Sequence, residues 1–310
     1  MTHPKLSVPS SGLGGRGYKQ IFGDGTPVPS ITTALGALEK PGIVNWHIEN
    51  TVYYAVRNID DLLSRTEEAG ERYLSYYTRR LKERDLDDPE INALNFSMGV
   101  LDDLSNLGNF IHDYVECDLQ GWFTPEPWRD DQVEMIEAYH EWKEQHEVEV
   151  ICTETTVFGN GYAGTLDIIA KVDGTPLLID TKSSRKVYDS HIAQLSALGS
   201  AHSMAVEVSE GTEGAVPYKM VPSVSKEHGG QVDSWWVEEP LPAFQGYAVL
   251  QIRPGDVDTK GKYLAPFCEL HRIDQRLIDT GMGIFQAGLD ARVAQRKFAQ
   301  IEKEIEKEMF

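Results

Sequence analysis

Apolar and polar positions change period twice along the chain. Between Leu101 and Trp122 the residues Leu104, Leu107, Ile111, Val115, Leu119 and Trp122 recur every three or four positions, the spacing of an amphipathic helix. Val133, Ile136, Tyr139 and Trp142 repeat the pattern over about residues 130–146. The period then shortens. Val150–Phe158, Tyr162–Val172 and Leu177–Lys182 predict three strands, joined by turns at Gly159-Asn160-Gly161 and at Asp173-Gly174, a strong hairpin signal. Helical spacing returns over Lys186–Val206, with Ile192, Leu195 and Leu198 inward, and Tyr247–Ile252 and Tyr263–Leu270 predict two further strands. The chain is helical again from Ile273. Its last stretch carries a narrow stripe of Phe298, Ile301 and Ile305 among alternating Glu and Lys, which reads as a packed tail or partner helix.

The N-terminal third is less regular. Residues 9–17 are rich in Ser and Gly, and 1–17 read as a flexible arm. Gly12-x-Gly14-x-x-Gly17 spells the dinucleotide fingerprint, but no strand precedes it and no helix pattern follows directly. Tyr18–Phe22 with Gly23-Asp24-Gly25 predicts a hairpin, and Ser30 the N-cap of a helix through Leu38, stopped by Pro41-Gly42. Residues 43–84 read as two helices, the second opened by a capping box at Ser64 and Glu67. It ends in Arg79, Arg80, Lys82 and Arg84, either a solvated face or a contact to a DNA backbone. The expected organisation is the arm, a hairpin and helical cap over 18–100, a core over 101–290 and a C-terminal helix over 291–310. A loop-rich insertion with one or two short strands falls at about 207–243, its Trp235-Trp236 pair packing on the body rather than stacking a base.

The three central strands carry carboxylates where a buried sheet places aliphatic side chains. Strand side chains alternate faces, so Asp180 and Lys182 point one way and Ile179 and Thr181 the other. Asp167 stands on the paired strand between Leu166 and Ile168. A buried carboxylate needs a partner, and a metal ion is the strongest one available. Two acids converging beside a lysine suit a hard, oxygen-seeking cation such as Mg²⁺ or Mn²⁺. The plainer alternative is an Asp180–Lys182 surface pair at the end of an edge strand. Gly164-x-x-Asp167 one hairpin upstream, and Gln194 on the next helix, favour the metal. Glu154 is a lesser candidate, for a second ion about 4 Å from the first. His112 and Glu116 share one side of their helix, with Glu116 expected to face solvent rather than serve a second ion. His140 and His146 lack metal-type spacing with a third ligand and read as surface residues.

Gly164-x-x-Asp167, Asp180-x-Lys182, Gln194 and the upstream His112 together resemble the PD-(D/E)xK nuclease superfamily, most closely its RecB-like branch, which includes phage exonucleases. Ser30, Lys40-Pro41-Gly42 and Trp46 are similar to the lead-in of the phage members, and Gly108-x-x-x-His112-x-x-x-Glu116 to the motif whose histidine is a metal ligand. The resemblance implies a restriction-endonuclease-like α/β fold, a mixed central sheet flanked by helices with an N-terminal helical cap. It also implies a divalent-metal-dependent DNA exonuclease. His112, Asp167 and Asp180 would be metal ligands, with the backbone carbonyl of Thr181 a fourth; Asp167, Asp180, Lys182 and Gln194 would be the catalytic set. Gln194 matches the glutamine of the family's Gln-x-x-x-Tyr motif, but the fourth position on is Leu198, and Tyr188 reads as an ordinary packed tyrosine. Replacing Asp180 or Lys182 with Ala is expected to abolish cleavage and leave the fold intact.

Composition narrows these readings. A net charge of −20 argues against a general nucleic-acid binder, since phosphate contacts need Lys and Arg. A local basic strip still admits DNA, and Lys182, Arg185 and Lys186 supply one beside the acids. The three cysteines are one short of the four that hold an iron–sulfur cluster in some relatives, so no cluster is expected, nor a disulfide framework. There is no nucleophile elbow, and the one Gly-Lys pair, Gly261-Lys262, precedes Tyr263, so no ATP site is expected. Asp256-x-Asp258 is no EF-hand, because Lys260 and Phe267 fall at ligand positions. Apolar runs too short for a bilayer and a start without a signal core imply a cytoplasmic protein without membrane contact, in the host cytoplasm if phage-encoded. DNA is the expected partner, with any recombinase, helicase or single-strand-binding protein a separate chain. The alternatives are a non-cutting DNA-binding or scaffold module on the same fold, and a metal-dependent hydrolase of RNA or small phosphodiesters.

Overall fold

A computed structural model describes residues 6–8, 15–38, 47–49, 51–52, 56–57, 59–60, 92–219, 233–257 and 261–309. The chain forms two compact units, one of Met1–Leu38 with Phe110–Phe310, the other of Glu39–Asn109. In the smaller unit the described residues are helical. The basic cluster with Arg79 and Arg80, the capping box at Ser64, the Pro41-Gly42 stop, Lys40, Trp46, Gly12 and Gly14 lie outside the described residues.

The larger unit is built on an eight-stranded mixed sheet. Its strands are β4 (Val148–Gly159), β5 (Tyr162–Val172), β6 (Thr175–Lys182), β7 (Ser203–Val208), β8 (Val216–Lys219), β9 (Asp233–Glu239), β10 (Gly246–Arg253) and β13 (Phe267–Ile273), in the order β13-β10-β6-β5-β4-β7-β9-β8. Among the described strands only β6 and β10 pair in parallel. A mixed α/β architecture with helices flanking a central sheet is therefore present. Its centre is the predicted hairpin pair: β5 has the predicted bounds, and the β5–β6 turn places Asp173 at φ 51° and Gly174 at φ 77°, as a type I′ turn requires. The insertion contributes two strands, β8 and β9, that extend the sheet beyond β7, and Trp236 is buried, in line with its expected packing.

Helix α1 (Ile31–Leu35), α4 (Asp189–Gly199) and α5 (Gln275–Met309) pack on one face; α3 (Asp130–Gln145) lies against β10 and β13. Helix α2 (Asn92–Gln120) enters the larger unit at Phe110 and buries Ile111 and Val115 there. The core under α1, α4 and α5 gathers Ile31, Leu166, Ile169, Leu178, Leu195, Leu198, Val249 and Phe285. Ser30 caps α1 as expected, its Oγ accepting from Thr33 N at 3.0 Å. Part of the expected arm belongs to a small antiparallel sheet, β1 (Ser7–Val8), β2 (Gly17–Lys19) and β3 (Pro27–Pro29), with Leu6 buried. Tyr263–Leu264 (β12) pairs with Asp256–Val257 (β11), so the predicted strand over 263–270 is split in two.

Helix α5 approaches its neighbours through glycine. A Cβ on Gly281 would lie 2.6 Å from Ser196 Oγ in α4, and one on Gly288 would lie 2.8 Å from the Ala34 carbonyl in α1. The second obstacle is backbone and cannot swing aside. Gly288→Ala is therefore expected to cost about 1–2 kcal/mol in urea unfolding, overpacking outweighing the better helix propensity of alanine. The Phe298, Ile301 and Ile305 stripe is exposed, at 65%, 45% and 50%, rather than packed within the chain.

Candidate metal centre

The site forms where the ladder between β5 and β6 opens. Pairing runs from Val172↔Thr175 to Ile168↔Ile179, which sets Asp167 opposite Asp180 at the next step. Beyond it Thr181 N donates at 2.8 Å to Asp167 Oδ2. The N–H and C=O of one strand residue point to the same neighbour, so the Thr181 carbonyl turns toward β5 as well. Asp167 is thus oriented by the strand carrying Asp180 and Lys182.

Two further groups reach Asp167. His112, from α2, brings Nδ1 to 3.3 Å from Asp167 Oδ2. Glu154 lies across from Asp167 on β4, between the pairs Thr153↔Ile168 and Thr155↔Leu166. Its φ of 43° is left-handed, a conformation that costs a non-glycine residue about 1 kcal/mol or more and that clusters at functional sites. One donor atom from each of His112, Glu154 and Asp167 falls within 4.8 Å of the other two. Ligands on one ion with bonds of about 2.1 Å lie no more than about 4.2 Å apart, so a shift of a few tenths of an ångström would complete such a set. One imidazole and two carboxylates fit a divalent ion, and the imidazole makes the site better suited to Mn²⁺ than an all-oxygen set would be.

Asp180 is not one of that trio. It is fully buried, with Lys182 Nζ 2.6 Å from Oδ2 and Gln194 Nε2 donating to Oδ1 at 3.1 Å. Burial pushes its carboxyl up from the ordinary range, against the Lys182 ammonium, which lowers it. For Lys182 burial acts downward, but Asp180, Asp167 and Glu154 together hold the ammonium above its usual value. Asp180, Lys182 and Gln194 therefore come together as the sequence indicates, next to Asp167. No family model matches this sequence, and no curated protein matches it. What the site can do is written in its own groups: a trio able to hold a cation, and beside it a buried ammonium held by a carboxylate.

The remaining expectations divide. Gly164 lets β5 pass under α1 and α4, since a Cβ there would meet Ile31 Cδ1 at 2.5 Å and Leu198 Cδ2 at 3.2 Å. Leu198, four positions after Gln194, is core. Tyr188 is 39% exposed rather than packed, with Lys186 Nζ 5.1 Å from its ring centre and His191 edge-on; it stands at the start of α4, outside the buried face. Arg185 is exposed and bonded to Asp256. Glu116 is buried, not solvent-facing, within a stretch of α2 from Tyr114 to Cys117 that is covered all round. His146 lies at the surface, its Nδ1 2.8 Å from Asp173 Oδ2, while His140 is partly buried, its Nε2 2.8 Å from Tyr114 Oη.

Gln251 carries no motif and went unmarked in the sequence. Parallel register sets it beside Lys182, and it is buried. Its Nε2 donates to the Ser184 carbonyl at 2.6 Å while its Oε1 lies 2.8 Å from His271 Nε2. The loop after Lys182 is thereby pinned to β10. Nothing local in the sequence announces this, because it depends on which strand lies next to β6.

Proposed function

We propose that the chain is a divalent-metal-dependent deoxyribonuclease that hydrolyses phosphodiester bonds in linear DNA. The observation that carries this reading is the convergence of His112, Glu154 and Asp167 beside the buried Asp180–Lys182 pair. When bound there, Mg²⁺ or Mn²⁺ supplies Lewis acidity toward a phosphoryl oxygen and a lowered pKa for water. Thr181 N–H fixes the orientation of Asp167, and Gln194 that of Asp180. Lys182, whose ammonium Asp180, Asp167 and Glu154 favour against its burial, serves as a positive charge for the phosphate. Asp180 holds that ammonium at the site. The resemblance to RecB-like exonucleases supports DNA over RNA and ends over internal bonds.

The test is incubation with end-labelled linear duplex, closed circular DNA, RNA and a dinucleotide, each with Mn²⁺, Mg²⁺ or excess chelator. Loss of label from linear DNA, faster in Mn²⁺ and absent in chelator, with the circle intact, is the expected result. Cleavage of RNA alone would move the activity to another substrate. No cleavage of any substrate in either ion would refute the enzyme.

A further inference from the structure

A second cationic cluster lies at the carboxyl ends of β6 and β10, just past Lys182. Arg253 follows Gln251 by two positions on β10 and so shares its face, the face of Asp180 and Lys182. Ser184 is tied to Gln251, and Arg185 comes next. Both guanidinium groups converge on one oxygen: Arg185 Nη2 and Arg253 Nη2 donate to Asp256 Oδ2 at 3.0 and 3.1 Å. The other Asp256 oxygen accepts from Val257 N at 2.7 Å. Two positive charges therefore share one negative charge, in a chain whose net charge is −20. Arg253 is only 12% exposed, and its Nε is buried without an acceptor among the described residues. A single carboxylate leaves most of these donors unused, whereas a phosphate offers more oxygens to a guanidinium fork.

The position matters as much as the charge. This cluster occupies the carboxyl ends of β6 and β10, the pair that carries Lys182. Glu134 in α3 accepts from Gly255 N at 2.8 Å, fixing the turn that presents Asp256. The carboxylate is thus held as a stand-in anion.

We propose that Arg253 and Arg185 form a clamp for a backbone phosphate of the DNA substrate, closed by Asp256 in the free protein and opened when the phosphate displaces that carboxylate. This rests on the nuclease reading. The probe is a fluorescent duplex whose binding is followed by anisotropy in Ca²⁺ across a salt series. Asp256→Ala is expected to tighten binding about tenfold, and Arg253→Ala and Arg185→Ala each to weaken it by about the same factor, with the salt slope lowered by about 1 in each arginine variant. Arg253→Lys should recover only part of the loss, since it keeps the charge and loses the fork. If Arg253→Ala does not fold, Asp256→Ala and the exposed Arg185→Ala carry the test. Wild-type affinity and slope in all of these variants would overturn the clamp while leaving the nuclease reading standing. Failure of the wild-type protein to bind duplex at all would overturn both.

Discussion

Asp180→Ala is expected to lose divalent-ion-dependent cleavage and, at the same time, about 3–5 kcal/mol of unfolding free energy, because it strands a buried ammonium. The pair is inside the protein: Asp180 is fully buried and the Lys182 side chain is 17% exposed, at 2.6 Å. Removing Asp180 takes away the nearest of the carboxylates that hold the Lys182 ammonium, and removing Lys182 takes from Asp180 its one cation, so each single alanine is expected to weaken the fold as well as the site. The double variant Asp180→Ala/Lys182→Met removes both charges and should regain most of the stability and none of the activity. Activity should fall at least ~10³-fold in each case, since several kcal/mol of transition-state stabilisation are lost. Urea unfolding of the two single variants and the double variant measures the coupling directly. Equal stability of the singles and the wild type would mean that the pair is far better solvated than it looks.

The second large effect concerns the trio. Asp167→Asn keeps an oxygen to accept from Thr181 N–H, so its unfolding free energy in chelator should match wild type within about 1 kcal/mol. What it loses is half of the anionic charge that faces His112. Wild-type protein at Mn²⁺ a hundredfold above the dissociation constant should gain about 2.7 kcal/mol of stability by mass action, and Asp167→Asn should gain almost none. His112→Ala and Glu154→Gln should lose part of that gain, and all three should cut DNA at least ~10²-fold more slowly. A thermal melt of each variant with Mn²⁺ and with chelator reads the first effect without requiring turnover. An undiminished Mn²⁺ shift in Asp167→Asn would place the ion elsewhere.

Much of the centre was legible because its determinants are local. The Asp173-Gly174 turn and the alternating residues around it fix the β5–β6 register, and that register alone sets Asp167 against Asp180 and puts Lys182 on the same face. Gln194 follows from the next helix. The division of labour was not legible. Asp180 was expected beside His112 and Asp167 around the ion; the donor atoms that group most closely are those of His112, Glu154 and Asp167, with Asp180 against Lys182 and Gln194. Glu154 was the weakest candidate, and it enters the trio through a left-handed residue on β4 that no propensity would assign to glutamate. Gln251 and Arg253 were invisible for another reason: they come alongside β6 through its parallel pairing with β10, a contact between segments far apart in the chain. The helical stripe at Phe298, Ile301 and Ile305 shows the converse, a clear periodicity whose apolar face is left exposed.

The most direct measurement is a crystal of the protein saturated with Mn²⁺ and recorded at the manganese absorption edge. A single anomalous peak with His112, Glu154 and Asp167 each placing an atom at about 2.2 Å, and Lys182 Nζ still on Asp180, is the predicted result. A saturated crystal with no peak between those three side chains, or with the ion held by other residues, would contradict it.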